Sequence, residues 1–126
     1  MKGGYATMIE LQTAPDSKIV SVKVTGKLHR EDYVTFSPRV EELIRERGKL
    51  CMLIEMHDFH GWDMGALLED IKFDVKHFAD IERVAFVGDK KWQKGMSVFC
   101  KPFTRAKVRY FERDQEEQAA AWLKAV

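Results

Sequence analysis

Apolar and polar positions along this chain change period several times, and each change marks an element. Lys18 to Thr25 reads Lys-Ile-Val-Ser-Val-Lys-Val-Thr. Its β-branched residues and partial alternation predict a strand, which Gly26 ends. An earlier strand is expected over residues 5–12, and Pro15-Asp16-Ser17 is turn chemistry, so the two should pair as an antiparallel hairpin. Tyr33, Phe36, Val40, Leu43 and Ile44 then fall at steps of three and four, which predicts a helix over 29–47 closed by Gly48. Pro38 implies either a kink or a helix that starts there, capped by Ser37.

Residues 50–56 are apolar at nearly every position and predict a central strand covered on both faces. The helical stripe Leu67, Leu68, Ile71, Val75 and Phe78 predicts a helix over 64–78. A buried strand over 83–87 follows, then a shorter helix over 90–99 that Gly95 weakens and Pro102 stops. A fifth strand is expected over 107–111, with Val108 and Tyr110 on one face. A last helix, capped by Asp114, ends near Trp122 and Leu123. The order β-β-α-β-α-β-α-β-α predicts an α/β fold: a mixed five-stranded sheet with an N-terminal hairpin and right-handed crossover helices. One domain is expected over residues 1–126.

Composition narrows the classes. With 45% hydrophobic and 33% charged residues the chain is globular, and its net charge of +1 creates no global field toward nucleic acid or membrane. The charge is unevenly spread. Residues 31–82 carry thirteen acids against six Lys/Arg, and residues 89–109 carry one acid against seven Lys/Arg. The basic stretch is therefore the place to look for an acidic partner. Two widely spaced cysteines, Cys51 and Cys100, make neither a metal motif nor a disulfide framework and read as buried thiols. No run approaches the ~20 apolar residues of a membrane span. A cytoplasmic protein is expected, with attachment to the inner membrane surface left open.

The residues with chemical options gather in His57-Asp58-Phe59-His60-Gly61-Trp62-Asp63-Met64-Gly65, which reads as a strand-to-helix turn. Crevices in open α/β sheets lie at such carboxyl ends. His57, Asp58, His60 and Asp63 fit no standard metal spacing, so no metal is expected. Asp58 or Asp63 is placed to cap the following helix. No nucleophile elbow and no phosphate-binding glycine motif occurs, so neither catalysis nor a nucleotide cofactor is expected. Trp62 either packs over the helix end or lines a pocket mouth.

Several of these segments together resemble the SpoIIAA-like family. They are Gly26-Lys27-Leu28 with Glu31-Asp32-Tyr33, Asp58-Phe59-His60-Gly61-Trp62-Asp63, Lys72-Phe73 with Lys76-His77-Phe78, Val87-Gly88-Asp89-Lys90-Lys91-Trp92, and Phe103-Thr104-Arg105-Ala106 with Arg109-Tyr110-Phe111. The resemblance implies a STAS-type fold, similar in outline to the lipid-carrying Sec14-like (CRAL-TRIO) proteins. It also implies ligand binding in an apolar cleft or membrane association. Anti-sigma factor antagonists of the STAS class carry a phosphorylatable Ser in an Asp-Ser-Ser-Gly-like turn before the helix. If Gly65 matches that Gly, Asp63 and Met64 stand before it here, and no Ser or Thr occurs between Cys51 and Gly95. A phosphorylation switch at this turn is not expected.

The basic stretch adds its own pattern. Trp92, Met96 and Phe99 repeat at four and three, with Lys90, Lys91, Lys94 and Lys101 around them. Such a helix can cover the sheet, lie in a membrane interface, or swing open to admit an apolar ligand. Its aromatics and lysines also allow nucleic acid, but the acidic middle of the chain opposes phosphate backbones, so no nucleic acid is expected. The sequence reading is a non-enzymatic binder of a small apolar or amphipathic, lipid-like ligand, peripheral on an anionic membrane. Trp62, Met64, Trp92, Met96, Phe99 and Phe103 would contact the ligand, and Lys90, Lys91, Lys94 and Arg105 its head group. A homodimer is compatible with it. The alternative is a phosphorylation-independent protein-interaction module related to the anti-sigma antagonists. A carrier should enclose an apolar cavity, and an interaction module should expose an apolar patch.

Overall fold

A computed structural model describes residues 9–14, 17–77, 79–88 and 107–125. Strands β1 (Ile9–Thr13) and β2 (Ile19–Leu28) form the expected antiparallel hairpin. Helix α1 (Asp32–Arg47), strand β3 (Leu50–Trp62), helix α2 (Met64–Lys76), strand β4 (Ile81–Gly88) and strand β5 (Lys107–Glu112) follow. A 3-10 turn (Arg113–Gln115) leads into helix α3 (Glu116–Lys124). The strands lie in the order β1-β2-β3-β4-β5, and β2 to β5 pair in parallel. This is the mixed five-stranded α/β sheet that the hydrophobic pattern predicts. The helix expected over 90–99, Cys100 and Phe78 lie outside the described residues.

Alternation along the strands divides the core. Val20, Val22 and Val24 of β2, Met52 and Met56 of β3 and Phe86 of β4 join Tyr33, Val40 and Leu43 of α1 and Phe73 of α2 in one cluster. The intervening residues Cys51, Leu53, Ala85, Val87 and Phe111 meet Ala119 and Leu123 of α3 on the opposite face. Val40 and Leu43 have no exposed surface, and each such side chain contributes about 1.5–3 kcal/mol of transfer free energy. Burial pushes the Cys51 thiol above its ordinary range.

Four expectations are corrected. First, of the two readings of Pro38 the helix that starts there fails: α1 starts at Asp32, six residues ahead, and carries the proline inside it as the other reading had it, so Ser37 is no cap. Tyr33 and Phe36 lie before the proline, in edge-to-face contact 5.9 Å apart; Tyr33 is buried and Phe36 packs against the same core. That burial holds the first turns helical. Second, β2 continues past Gly26 to Leu28, and β3 past Met56 to Trp62. Residues 57–62 are therefore strand and not turn. Third, α2 ends at Lys76 and β4 runs from Ile81 to Gly88, longer than residues 83–87. Fourth, Asp114 sits inside the 3-10 turn. The cap there is a reciprocal box between Glu112 and Gln115, whose side-chain oxygen accepts the Glu112 N–H at 3.0 Å.

Candidate functional site

The carboxyl ends of β2 and β3 leave the regular ladder together. Thr25 pairs with His57, Gly26 with Phe59 and Lys27 with Gly61, so β3 carries extra residues at 58 and 60. Asp58 (φ 54°) and Gly61 (φ 105°) adopt the positive φ that such bulges use. The extra residue reverses the alternation. Phe59 turns into the α1–α2 core at 3% exposure, while Asp58 and His60 stand in solvent.

The bulged strand delivers Asp63 to the start of α2. Its backbone N–H bonds Leu28 O at 2.9 Å, and its Oδ1 accepts the Ala66 N–H at 2.8 Å as the helix N-cap. Oδ2 lies 2.6 Å from His29 Nδ1, which comes from the β2–α1 connection. The Ala66 N–H, then the His29 ring, hold the Asp63 carboxyl below its ordinary value. Arg30 crosses the same junction. Its Nε donates to Glu69 at 3.4 Å, and its Cβ would lie 3.2 Å from a Cβ added at Gly65. Gly65 thus lets the start of α1 approach α2 closely.

Beside this capped helix start, large apolar side chains face solvent. Met64, the first residue of α2, is 71% exposed, and Leu68 one turn later is 55% exposed. Val34 of α1, on the same side of the sheet, is 68% exposed. Met64 therefore stands at the surface and lines neither of the two cavities described below. The backbone of Trp62 ends β3, and its side chain lies outside the described set. Trp92, Met96, Phe99, Phe103, Lys90, Lys91, Lys94 and Arg105 lie outside the described residues altogether.

A second cluster occupies the other face at the same end. The Arg113 guanidinium donates to His57 Nδ1 at 3.0 Å and to Met56 O at 2.5 Å. Burial, then the nearby charges of Arg113 and Lys23, lower the basicity of His57. Glu55 meets Glu116 of α3, and a hydrogen bond between the two carboxyls, with burial, pushes Glu55 up to about 7. Among the described residues no three His, Cys, Asp or Glu gather as metal ligands.

Periodicity could not find His29, Arg30, Glu55 and Arg113. His29 and Asp63 are 34 residues apart, and His57 and Arg113 are 56 apart. The usable signal was topological: parallel neighbours place their carboxyl ends side by side.

The profile of the SpoIIAA-like family matches residues 19–124. The chain belongs to the SpoIIAA-like family. A crystal structure of an uncharacterized protein from the DUF3478 family with a SpoIIAA-like fold, from Shewanella loihica PV-4, is 25% identical. It superposes with a TM-score of 0.77 over 98% of each chain. The anti-sigma factor antagonist SpoIIAA in its unphosphorylated form is 12% identical, with a TM-score of 0.59 over 94% of this chain and 99% of that one, a likeness of fold alone. A comparison with curated proteins finds no significant match. Among the described residues no helix is long and apolar enough to cross a membrane.

Proposed function

We propose that this SpoIIAA-like protein is a non-enzymatic protein-interaction module that docks a protein partner at the β3–α2 junction without a phosphorylation switch. The observation that carries this reading is Met64, a large apolar side chain 71% exposed at the first turn of α2, with Leu68 exposed beside it. Exposed apolar residues grouped at one site mark interaction surfaces. The family, and the likeness of fold to an anti-sigma factor antagonist, support the class of function. If Gly65 matches the Gly of the antagonists' Asp-Ser-Ser-Gly-like turn, an exposed methionine replaces the phosphorylatable serine. Asp63, fixed by Ala66 and His29, then supplies a constant charge beside it. Docking here is constitutive. Neither the family nor the fold likeness supports a lipid-like ligand, and the side chains expected to line its site, Met64 apart, lie outside the described set.

The test is site-specific photo-cross-linking in cells, with the probe at Met64, at Leu68 and, as control, at Glu117 on α3. Discrete adducts from the first two positions are expected, the Leu68 adduct abolished by Met64→Glu and the Met64 adduct by Leu68→Glu, while the melting temperature holds. Equal adducts from Glu117, or adducts unaffected by these substitutions, would sink the proposal. An adduct of twice the chain mass would identify the partner as a second copy.

A further inference from the structure

The amino-terminal ends of the parallel strands, opposite the β3–α2 junction, carry a separate feature. Two open cavities of about 540 and 360 Å³ meet there and share Lys49 and Glu82. Lys18, Lys49, Arg83, Lys107 and Lys124 border them, against Glu82 as the acid among their lining residues. Ile81 and Ile19 contribute apolar wall. Among the described residues none of the four lysines forms an ion pair. Arg83 is held in place, its Nη1 donating to Trp122 O at 2.6 Å and its guanidinium lying 4.9 Å over the Trp122 ring.

Helix ends explain only part of this charge. Lys49 follows the carboxyl end of α1 and Lys124 closes α3, where cations complement the macrodipole. Lys18 precedes β2 and Lys107 opens β5, so neither serves a helix end. Five cations set against the one carboxylate of Glu82 still repel one another, and an anionic ligand relieves that repulsion. A phosphate group matches several amines at once, because it carries more than one negative charge and three acceptor oxygens. The larger cavity falls within the ~300–1,000 Å³ of small-molecule sites.

We infer that this groove binds a small phosphorylated molecule, its phosphate held by Lys49 and Lys107 with Arg83 behind them, and its uncharged part against Ile81. The site is independent of the docking surface proposed above. The phosphate can come from a soluble molecule or a lipid head group, and two experimental arms separate these sources.

In the first arm, amide chemical shifts are followed as inorganic pyrophosphate is added to the wild-type protein and to Lys49→Gln/Lys107→Gln. Both lysines are exposed, so the variant should keep its fold, which circular dichroism checks. Expected are shifts at residues 49–51, 81–83 and 107, none at 63–66, and binding weakened roughly tenfold or more in the variant. No shifts at millimolar pyrophosphate, shifts confined to 57–66, or equal binding by the variant would overturn the inference. In the second arm, the protein is sedimented with phosphatidylglycerol vesicles. Retention that the double variant loses makes the phosphate a lipid head group. No retention, with pyrophosphate binding intact, makes it a soluble ligand.

Discussion

At the scale of single residues, the two acids that matter are driven in opposite directions by their neighbours. Asp63 accepts from a backbone amide and a histidine and is held ionised. Glu55, a half-buried residue of β3, is hydrogen-bonded to the Glu116 carboxyl and is pushed up to about 7. The sign of the pH dependence follows. A carboxyl raised in the folded state contributes stability that is fully present below its ordinary value of 4.5 and is lost as pH rises through about 7. Stability should therefore fall across that window as the pair loses its shared proton and two carboxylates face each other. Glu55→Gln keeps a hydrogen-bond donor toward Glu116 but does not titrate. Urea denaturation of wild type and variant across this pH range checks it, and the expected result is a flatter profile for the variant. An identical slope in both proteins would mean that the two carboxyls do not share a proton. The sequence marks Asp63 as a helix cap but shows neither its His29 partner nor the Glu55–Glu116 pair, because those partners come from distant parts of the chain.

At the scale of elements, the bulged end of β3 shows where the sequence was readable and where it was not. Leu50 to Met56 is continuously apolar, and its strand was plain. Asp58, His60 and Gly61 look like turn residues because bulges and turns draw on the same residues for the same reason, tolerance of positive φ. What keeps them in the sheet is pairing with Gly26, Lys27 and Leu28, which no local pattern reveals. The cap of α2 was legible, since an Asp just before a helical stripe is a local signal. Its energetic consequence is local as well. Asp63→Ala removes the acceptor of the Ala66 N–H and should cost about 1 kcal/mol in urea denaturation, with the loss concentrated in the amide protection of α2's first turn. Asp63→Asn keeps a capping oxygen and should recover most of it. If the alanine variant is as stable as wild type, the His29–Asp63 contact and the cap contribute nothing to holding the junction.

At the scale of the whole molecule, the order of the described elements was readable because each segment's apolar period is strong, and the parallel pairing of β2, β3 and β4 follows from α1 and α2 between them. The basic groove was not readable. Lys18, Lys49, Arg83, Lys107 and Lys124 are spread along the chain and meet only because the strands all begin at one end. The same layout makes the two faces of the sheet unequal. Among the described residues, α1 and α2 pack over the cluster that holds Val20, Val22, Met52, Phe86 and Leu43, whereas α3 alone covers Cys51, Leu53, Val87 and Phe111. Helix α3 spans only nine residues and buries Ala119 and Leu123. So short a helix, with few buried side chains of its own, should open at lower free energy than the centre of the sheet, baring the face it covers. Native-state hydrogen exchange in low denaturant tests this directly. Amides of α3 should exchange through an opening well below the global unfolding free energy, and those of β2 and β3 only through global unfolding. Leu123→Ala should lower the α3 opening energy by about 2–5 kcal/mol, or by all that it has, since Leu123 is only 1% exposed. Arg83 is anchored to α3 through Trp122, so each opening also releases the cation at the back of the groove. If α3 instead exchanges together with β3, the helix and sheet form one cooperative unit and the groove is as rigid as the core.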